Sequence, residues 1–287
     1  MNIRLKRFGI VITLLVATLF AGCAHIPDAP SGTKTETLFL DHKDKNGNPI
    51  KLEFELHLPP GNGPFDIVLY SHGGPPPNNR GFVTKAYDMA GPFLKRNIAV
   101  ASIMRQGRWK SGGSPSLPRC RMDQGIASVE EGVGDTEVGL SFIKQSPLFA
   151  GKKVYMTGTS QGGLMTMILA SRHPETINKA FAFASGWYAT GFNATDCIPF
   201  VQNFQNKMFE DVAKRTAAPT LFLYASNDSY FPPNSVTEAF GKYKAKGGTG
   251  VLKTYPDVIH LHGDGHYMFR SPEIWEKDVM EFLGLEK

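Results

Sequence analysis

Residues Gly158-Thr159-Ser160-Gln161-Gly162 set a serine between two glycines, where an apolar run gives way to an amphipathic one. Lys153–Thr157 reads as a buried strand and Gly162–Arg172 as a helix. A serine on so tight a strand-to-helix turn carries strained backbone angles, and side chains at the flanking positions would clash, which glycine avoids. The turn lifts the hydroxyl off the sheet edge, and the helix behind it brings a positive dipole end near developing negative charge. The chemistry is nucleophilic attack by Ser160, and a serine hydroxyl needs a base to take its proton.

Eight histidines are available for that task. His25 and His42 precede the core, His72 lies in a loop before the nucleophile, and His173 ends the helix after it. Past that helix stand His260, His262 and His266. His266 stands in Gly263-Asp264-Gly265-His266-Tyr267-Met268-Phe269, between the last predicted strand and the last helix, and is the expected base. His262 is its rival, with a solvated loop residue as the bland alternative, and His260 reads as structural. The orienting carboxylate is expected at Asp228, in a turn after the run Thr220–Tyr224, giving the chain order serine, acid, histidine. Asp257 and Asp264 compete but sit close in sequence to His266. The developing oxyanion needs donors. These are expected from the N–H of Gln161 and from the loop Ser71-His72-Gly73-Gly74-Pro75-Pro76-Pro77, with Gly74 first and Gly73 next. His72 then supports the loop. No cofactor is required, and the cysteines lack the close Cys/His spacing of a zinc site.

The elements that must position these residues follow from the apolar pattern. Glu36–Asp41 and Ile50–Leu58 alternate, with Asn46-Gly47 between them as a hairpin signal. Beyond residue 64 the short apolar runs Phe65–Tyr70, Ile98–Met104, Lys153–Thr157, Lys179–Ala184, Thr220–Tyr224 and Val251–Tyr255 suit strands buried on both faces. Helices read at Tyr87–Lys95, Val133–Gln145, Gly162–Arg172, Ser235–Lys244 and Pro272–Leu283, with Asp135 and Pro272 near helix starts. This alternation predicts an α/β fold. It is one domain over residues 36–287, with about eight mostly parallel strands, an N-terminal antiparallel hairpin and helices on both faces. Residues 106–132 and 187–218 break the alternation and are expected to be lid or loop insertions, the second continuing as an amphipathic helix.

The mature chain resembles the α/β-hydrolase superfamily over nearly its full length. The His72-Gly73-Gly74-Pro75 loop, the Asn227-Asp228 segment running to Pro232-Pro233, and Gly265-His266-Tyr267-Met268-Phe269 look most like its dienelactone hydrolase and prolyl-oligopeptidase-like branches. The resemblance implies a triad of Ser160, Asp228 and His266, in agreement with the spacing. Serine stands where true dienelactone hydrolases carry cysteine. Arg105-Gln106-Gly107-Arg108 with Ser111-Gly112-Gly113 is similar to the turn after the fourth strand in those proteins, although Trp109 and Lys110 depart from its pattern. The implied reaction is hydrolysis of a small-molecule ester through an acyl-enzyme. An amide substrate, an alcohol acceptor in place of water, or a non-catalytic binding protein that kept the fold are the rival readings. Phe82, Trp187, Tyr188, Phe192 and Tyr230 could line an aromatic pocket or could be packing.

The N-terminal segment belongs to targeting. Arg4, Lys6 and Arg7 precede the apolar run Phe8–Ala21, whose 14 residues fall short of the roughly 20 that a membrane span needs. Leu19-Phe20-Ala21-Gly22-Cys23 resembles the lipobox of bacterial lipoproteins. That implies a signal peptide over 1–22, acylation of Cys23 and a tether over 23–35. Ala24, where aspartate would retain such a protein at the inner membrane of enteric-type bacteria, favours the outer membrane. The expected location is therefore exported and membrane-anchored. Loss of the signal lowers the formal net charge from +5 to +2. With no basic block elsewhere, a nucleic-acid partner is not expected. Cys120 and Cys197 then form an even pair in an oxidising compartment, a candidate disulfide joining the two insertions.

Overall fold

Alternating side chains build the centre of the molecule. Ile67 and Leu69 point into one apolar cluster while Val68 and Tyr70 point into another, so the strand they share is covered on both faces. The computed structural model describes residues 26–75, 83–115, 120–187, 194–259 and 263–286, with only the backbone at 194–199. In chain order the elements are β1 (Lys34–Lys43), β2 (Pro49–Leu58), β3 (Asp66–Ser71), α1 (Tyr87–Leu94), β4 (Ile98–Ile103) and α2 (Met122–Gln145). They continue with β5 (Val154–Thr159), α3 (Gln161–Arg172), β6 (Lys179–Phe183), α4 (Ala194–Ala213), β7 (Thr220–Ala225), α5 (Pro233–Ala245), β8 (Val251–Tyr255) and α6 (Pro272–Leu283). Short 3₁₀ turns stand at Pro147–Phe149 and Gly265–Arg270.

The eight strands form one sheet in the order β1-β2-β4-β3-β5-β6-β7-β8. β1 and β2 pair antiparallel, β2 joins β4 antiparallel, and β4, β3, β5, β6, β7 and β8 run parallel. The architecture is the expected mostly parallel sheet with an antiparallel hairpin at one edge. Buried residues of α2, α3, α4 and α5 cover one face, and those of α1 and α6 cover the other. Each fully buried Leu, Ile or Phe in these layers contributes about 1.5–3 kcal/mol, so both faces of the sheet are strongly held. The carboxyl ends of β3, β5 and β7 lie on one edge, where ligands bind in open α/β sheets.

Three expectations change. Residues 106–132 are not one loop, because α2 starts at Met122 rather than near Val133. Gly125 and Gly132 each weaken a helix by about 1 kcal/mol relative to Ala, which hides its first turns in the sequence. Packing overrides that propensity. Phe204 and Phe200 lie where a Cβ on Gly125 would be, and Met165 where one on Gly132 would be. Asp135, expected near a helix start, is therefore in mid-helix and buried. It accepts hydrogen bonds from Gln106 N and Nε2 at 2.9 and 3.2 Å and pairs with His42 Nε2 at 3.1 Å. The tether is also not free along its whole length: Ile26 is buried against α1, and Asp28 pairs with Lys95. Within 187–218, α4 is the expected amphipathic helix, and Phe204, Met208, Phe209 and Val212 on it are buried in the core.

Candidate active site

Ser160 stands between β5 and α3 with φ +55° and ψ −120°, a conformation that costs a non-glycine residue on the order of 1–3 kcal/mol. The surroundings hold it there. Its N–H donates to Phe183 O at 2.9 Å, and its carbonyl accepts from Leu164 N at 3.0 Å and Gly186 N at 3.2 Å, tying the turn to the end of β6. The flanking glycines are required by close approach. A Cβ on Gly158 would lie 2.4 Å from Gly162 O, and one on Gly162 would lie 1.9 Å from Ser71 O.

Asp228 follows β7 and is buried, as is His266 in the 3₁₀ turn. Both Asp228 oxygens face His266 Nδ1, at 3.1 and 3.2 Å. Asp228 Oδ1 also accepts the N–H groups of Tyr230 and Phe231, both at 2.9 Å. A carboxylate so supplied with donors accepts from Nδ1–H, which leaves Nε2 of the neutral ring as the basic nitrogen. The ring packs between Tyr230 and Phe231, with centroids at 4.3 and 5.6 Å. Among the described residues no hydrogen bond joins Ser160 to His266. In serine hydrolases generally, a bond between nucleophile and base commonly tightens only in the substrate complex.

Two neighbours in sequence hold this pair. Asp264, weighed as a rival acid, instead clamps the two loops. It accepts from His266 N at 2.9 Å, Ser229 N at 3.2 Å and Ser229 Oγ at 2.5 Å. Burial raises its pKa, but those donors outweigh burial and hold it below the ordinary value. Asn227 bonds both the N–H and the carbonyl of Val258, and its carbonyl accepts from Gly265 N. Asp257 is exposed, and His260 and His262 lie outside the described residues.

The loop after β3 is built around His72 and Arg105. Arg105 N donates to His72 Nε2 at 3.1 Å, so Nδ1 carries the ring proton and donates to Gly73 O at 2.7 Å. Burial, then the neighbouring Arg105 charge, hold His72 well below its ordinary pKa and keep it neutral. It supports the loop, as expected. In the sequence Arg105 is only part of a turn; in the structure it holds the loop. Nη1 donates to His72 O at 2.6 Å and Ser71 Oγ at 3.2 Å. Nη2 donates to Gly73 O at 3.1 Å and Gln161 Oε1 at 3.5 Å. An arginine directly after a buried strand and before a glycine turn was the available signal. A Cβ on Gly73 would lie 3.3 Å from Ser160 Cβ, and one on Gly74 would lie 3.0 Å from Gln161 Nε2. The loop therefore lies over the Ser160 turn. Gln161 is the first residue of α3, where an N–H has no intrahelical acceptor.

The departures at Trp109 and Lys110 are accommodated. Trp109 takes φ +48°, donates Nε1–H to Val83 O at 2.8 Å, and lies 4.5 Å from Lys85 Nζ. Lys110 N donates to Glu53 Oε2 at 2.8 Å. Beneath them Lys85 bridges Glu53 and Glu55, at 2.8 Å each. Of the aromatic candidates, Trp187 is fully buried and packs on Phe204. It lines, with Arg105, Gln161 and Met165, a small cavity of about 10 Å³. Tyr230 is the one set against His266. Phe82, Tyr188 and Phe192 lie outside the described residues. Among the described residues no cluster of His, Cys, Asp or Glu could hold a metal ion.

Residues 113–263 match the model of the dienelactone hydrolase family. Feruloyl esterase B of Neurospora crassa is 27% identical over 95 residues, which are 32% of this chain and 32% of that protein. The match thus spans about a third of that curated relative. Among solved structures, Est1E of Butyrivibrio proteoclasticus with ferulic acid bound superposes with a TM-score of 0.60 at 17% identity, over 86% of this chain and 99% of that one. An acylaminoacyl peptidase superposes with a TM-score of 0.60 at 15% identity, over 90% of this chain and 42% of that one.

Proposed function

This chain belongs to the dienelactone hydrolase family, and we propose that it is a serine hydrolase of small-molecule carboxylic esters. The observation that carries the reading is the Asp228 carboxylate on His266 Nδ1 at 3.1–3.2 Å, on the same sheet edge as the Ser160 turn. In the first half-reaction His266 Nε2 takes the Ser160 proton as Oγ bonds to the carbonyl carbon. The carbonyl oxygen becomes an oxyanion, held by the N–H groups of Gln161 and Gly74. The C–O bond to the alcohol then breaks, and His266 returns its proton to the leaving oxygen. Water repeats the sequence on the acyl-enzyme, releasing the acid and restoring Ser160. Asp228 stabilises the imidazolium formed in each half.

The ester reading draws on the feruloyl esterase relative and on the Est1E complex with ferulic acid. The peptidase neighbour keeps an amide reading as the alternative. A fluorophosphonate probe should label the wild type and leave Ser160→Ala unlabelled; equal labelling would sink the mechanism. Comparing turnover of p-nitrophenyl acetate with that of aminoacyl-p-nitroanilides decides ester against amide, and faster anilide turnover would overturn the ester assignment.

We further propose that the protein is an exported lipoprotein, acylated at Cys23 and held at the outer membrane. The support is the lipobox-like Leu19–Cys23 run followed by Ala24. Radiolabelled palmitate should enter the wild type and not Cys23→Ser. A Cys120–Cys197 disulfide would staple the entry of α2 to α4, whose Phe200 and Phe204 meet α2 at Gly125. Reduction should add two hydrogens to the mass of the wild type and none to Cys120→Ser.

A further inference from the structure

We infer that residues 26–33 form a docked strap that holds the α1/α6 side of the molecule against the lipid surface carrying the anchor. The inference rests on the proposal that Cys23 is acylated. The strap is built into the fold. Ile26 is only 6% exposed, in one cluster with Met89, Ala90 and Phe93. Pro27 O lies so close to α1 that a Cβ on Gly91 would come within 2.4 Å of it. Asp28 takes φ +60° and pairs with Lys95 Nζ at 3.1 Å. Ala29 N bonds Ile26 O, and Thr33 bonds Pro30 O through both its N–H and its hydroxyl, before the chain enters β1 at Lys34.

Chain geometry turns this docking into an orientation. From Cys23 to Ile26 is three Cα–Cα steps, at most about 11 Å. A free tether from Cys23 to β1 would instead have a root-mean-square span of about 20 Å and could swing freely. A domain of this size has a radius of gyration of about 18 Å, so an 11 Å link that starts on its surface cannot let the far side reach the bilayer. The face near Ile26, with α1 and α6, meets the headgroups. α2 and α4, on the opposite face of the sheet, point to water. The Ser160 edge between the two faces then takes its substrates from the aqueous side and not from the bilayer.

The test uses the native lipidated protein in phosphatidylethanolamine/phosphatidylglycerol vesicles doped with a headgroup-diazirine phospholipid, with adducts mapped by mass spectrometry after illumination. Adducts should be enriched several-fold on residues 26–30, on Tyr87–Arg96 and on α6 over α4 and α5. Gly91→Ala and, independently, Ile26→Asp should abolish that bias while palmitate incorporation and ester turnover stay at the wild-type level. Even labelling of the palmitoylated wild type, enrichment on α4, or a bias that survives both substitutions would overturn the strap. A wild type that takes up no palmitate would overturn the anchor and the strap together.

Discussion

Replacing Arg105 with methionine tests how the oxyanion loop is held. The side chain is buried, and its four donated bonds reach His72 O, Ser71 Oγ, Gly73 O and Gln161 Oε1. Burial lowers its pKa to about 9, so it is a cation at neutral pH. Methionine fills much of the same volume and donates nothing. The buried His72 O loses its charged donor, which costs about 1–3 kcal/mol, while Gly73 O loses one donor and keeps the His72 Nδ1–H bond. That cost bears on the loop proposed to present an N–H to the oxyanion. The Gln161 donor belongs to α3 and should survive. On the proposed mechanism one oxyanion donor of two is compromised, which should lower kcat by about 10²–10³. KM should change little, because the oxyanion exists only beyond the ground state. Arg105→Lys, with one compact ammonium able to reach one carbonyl well, should fall between. Steady-state kinetics on p-nitrophenyl acetate, with thermal unfolding in parallel, make the measurement. Wild-type kcat and an unchanged Tm in Arg105→Met would refute the assignment of Arg105 as the loop's support.

Asp228→Asn should keep the fold and lower kcat by about 10⁴, because an amide no longer holds His266 in the right tautomer; near-wild-type kcat would count against Asp228. Asp264→Asn should lower kcat with intact fluorophosphonate labelling at saturation, and it should flatten the acid side of the stability profile. The Asp264 pKa is depressed in the folded protein, so its contribution is present above the ordinary carboxylate value of about 3.9 and is lost as pH falls through the lower folded value; urea midpoints between pH 3 and 6 would check this. Lys85→Met should cost about 3–5 kcal/mol by urea unfolding, since it strands the buried Glu53 and Glu55 carboxylates. Burial pushes Glu55 up, yet His57 Nε2 at 3.3 Å and the Lys85 hydrogen bond hold it at about 2. The wild type therefore loses that stabilisation only as pH falls from 4.5 toward 2, and the variant should unfold at higher pH; an unchanged acid midpoint would contradict the pairing.

The features legible in the chain alone are local and periodic. Gly158–Gly162 at a strand-to-helix junction, the Asn46-Gly47 hairpin and the six apolar runs after residue 64 report on neighbours in the chain, and short-range sterics and side-chain period are written there directly. The chain order Ser160, Asp228, His266 is an expectation at that level, and only the fold brings the Asp228 carboxylate to His266 Nδ1. Tertiary structure decided what depends on partners distant in sequence. Gly125 and Gly132 read as loop until Phe204 and Met165 occupy the space they leave, so α2 gained its first turns only through packing. Asp264 looked like a rival acid because a carboxylate's role depends on which donors reach it, and Ser229 is brought there by a different loop. Arg105 gave no sign of its four acceptors, three of them about 30 residues away and one 56 away. Ile26 stood in a Pro/Ser/Gly-rich stretch that resembled a free tether, and only the groove beside Gly91 on α1 made it part of the core.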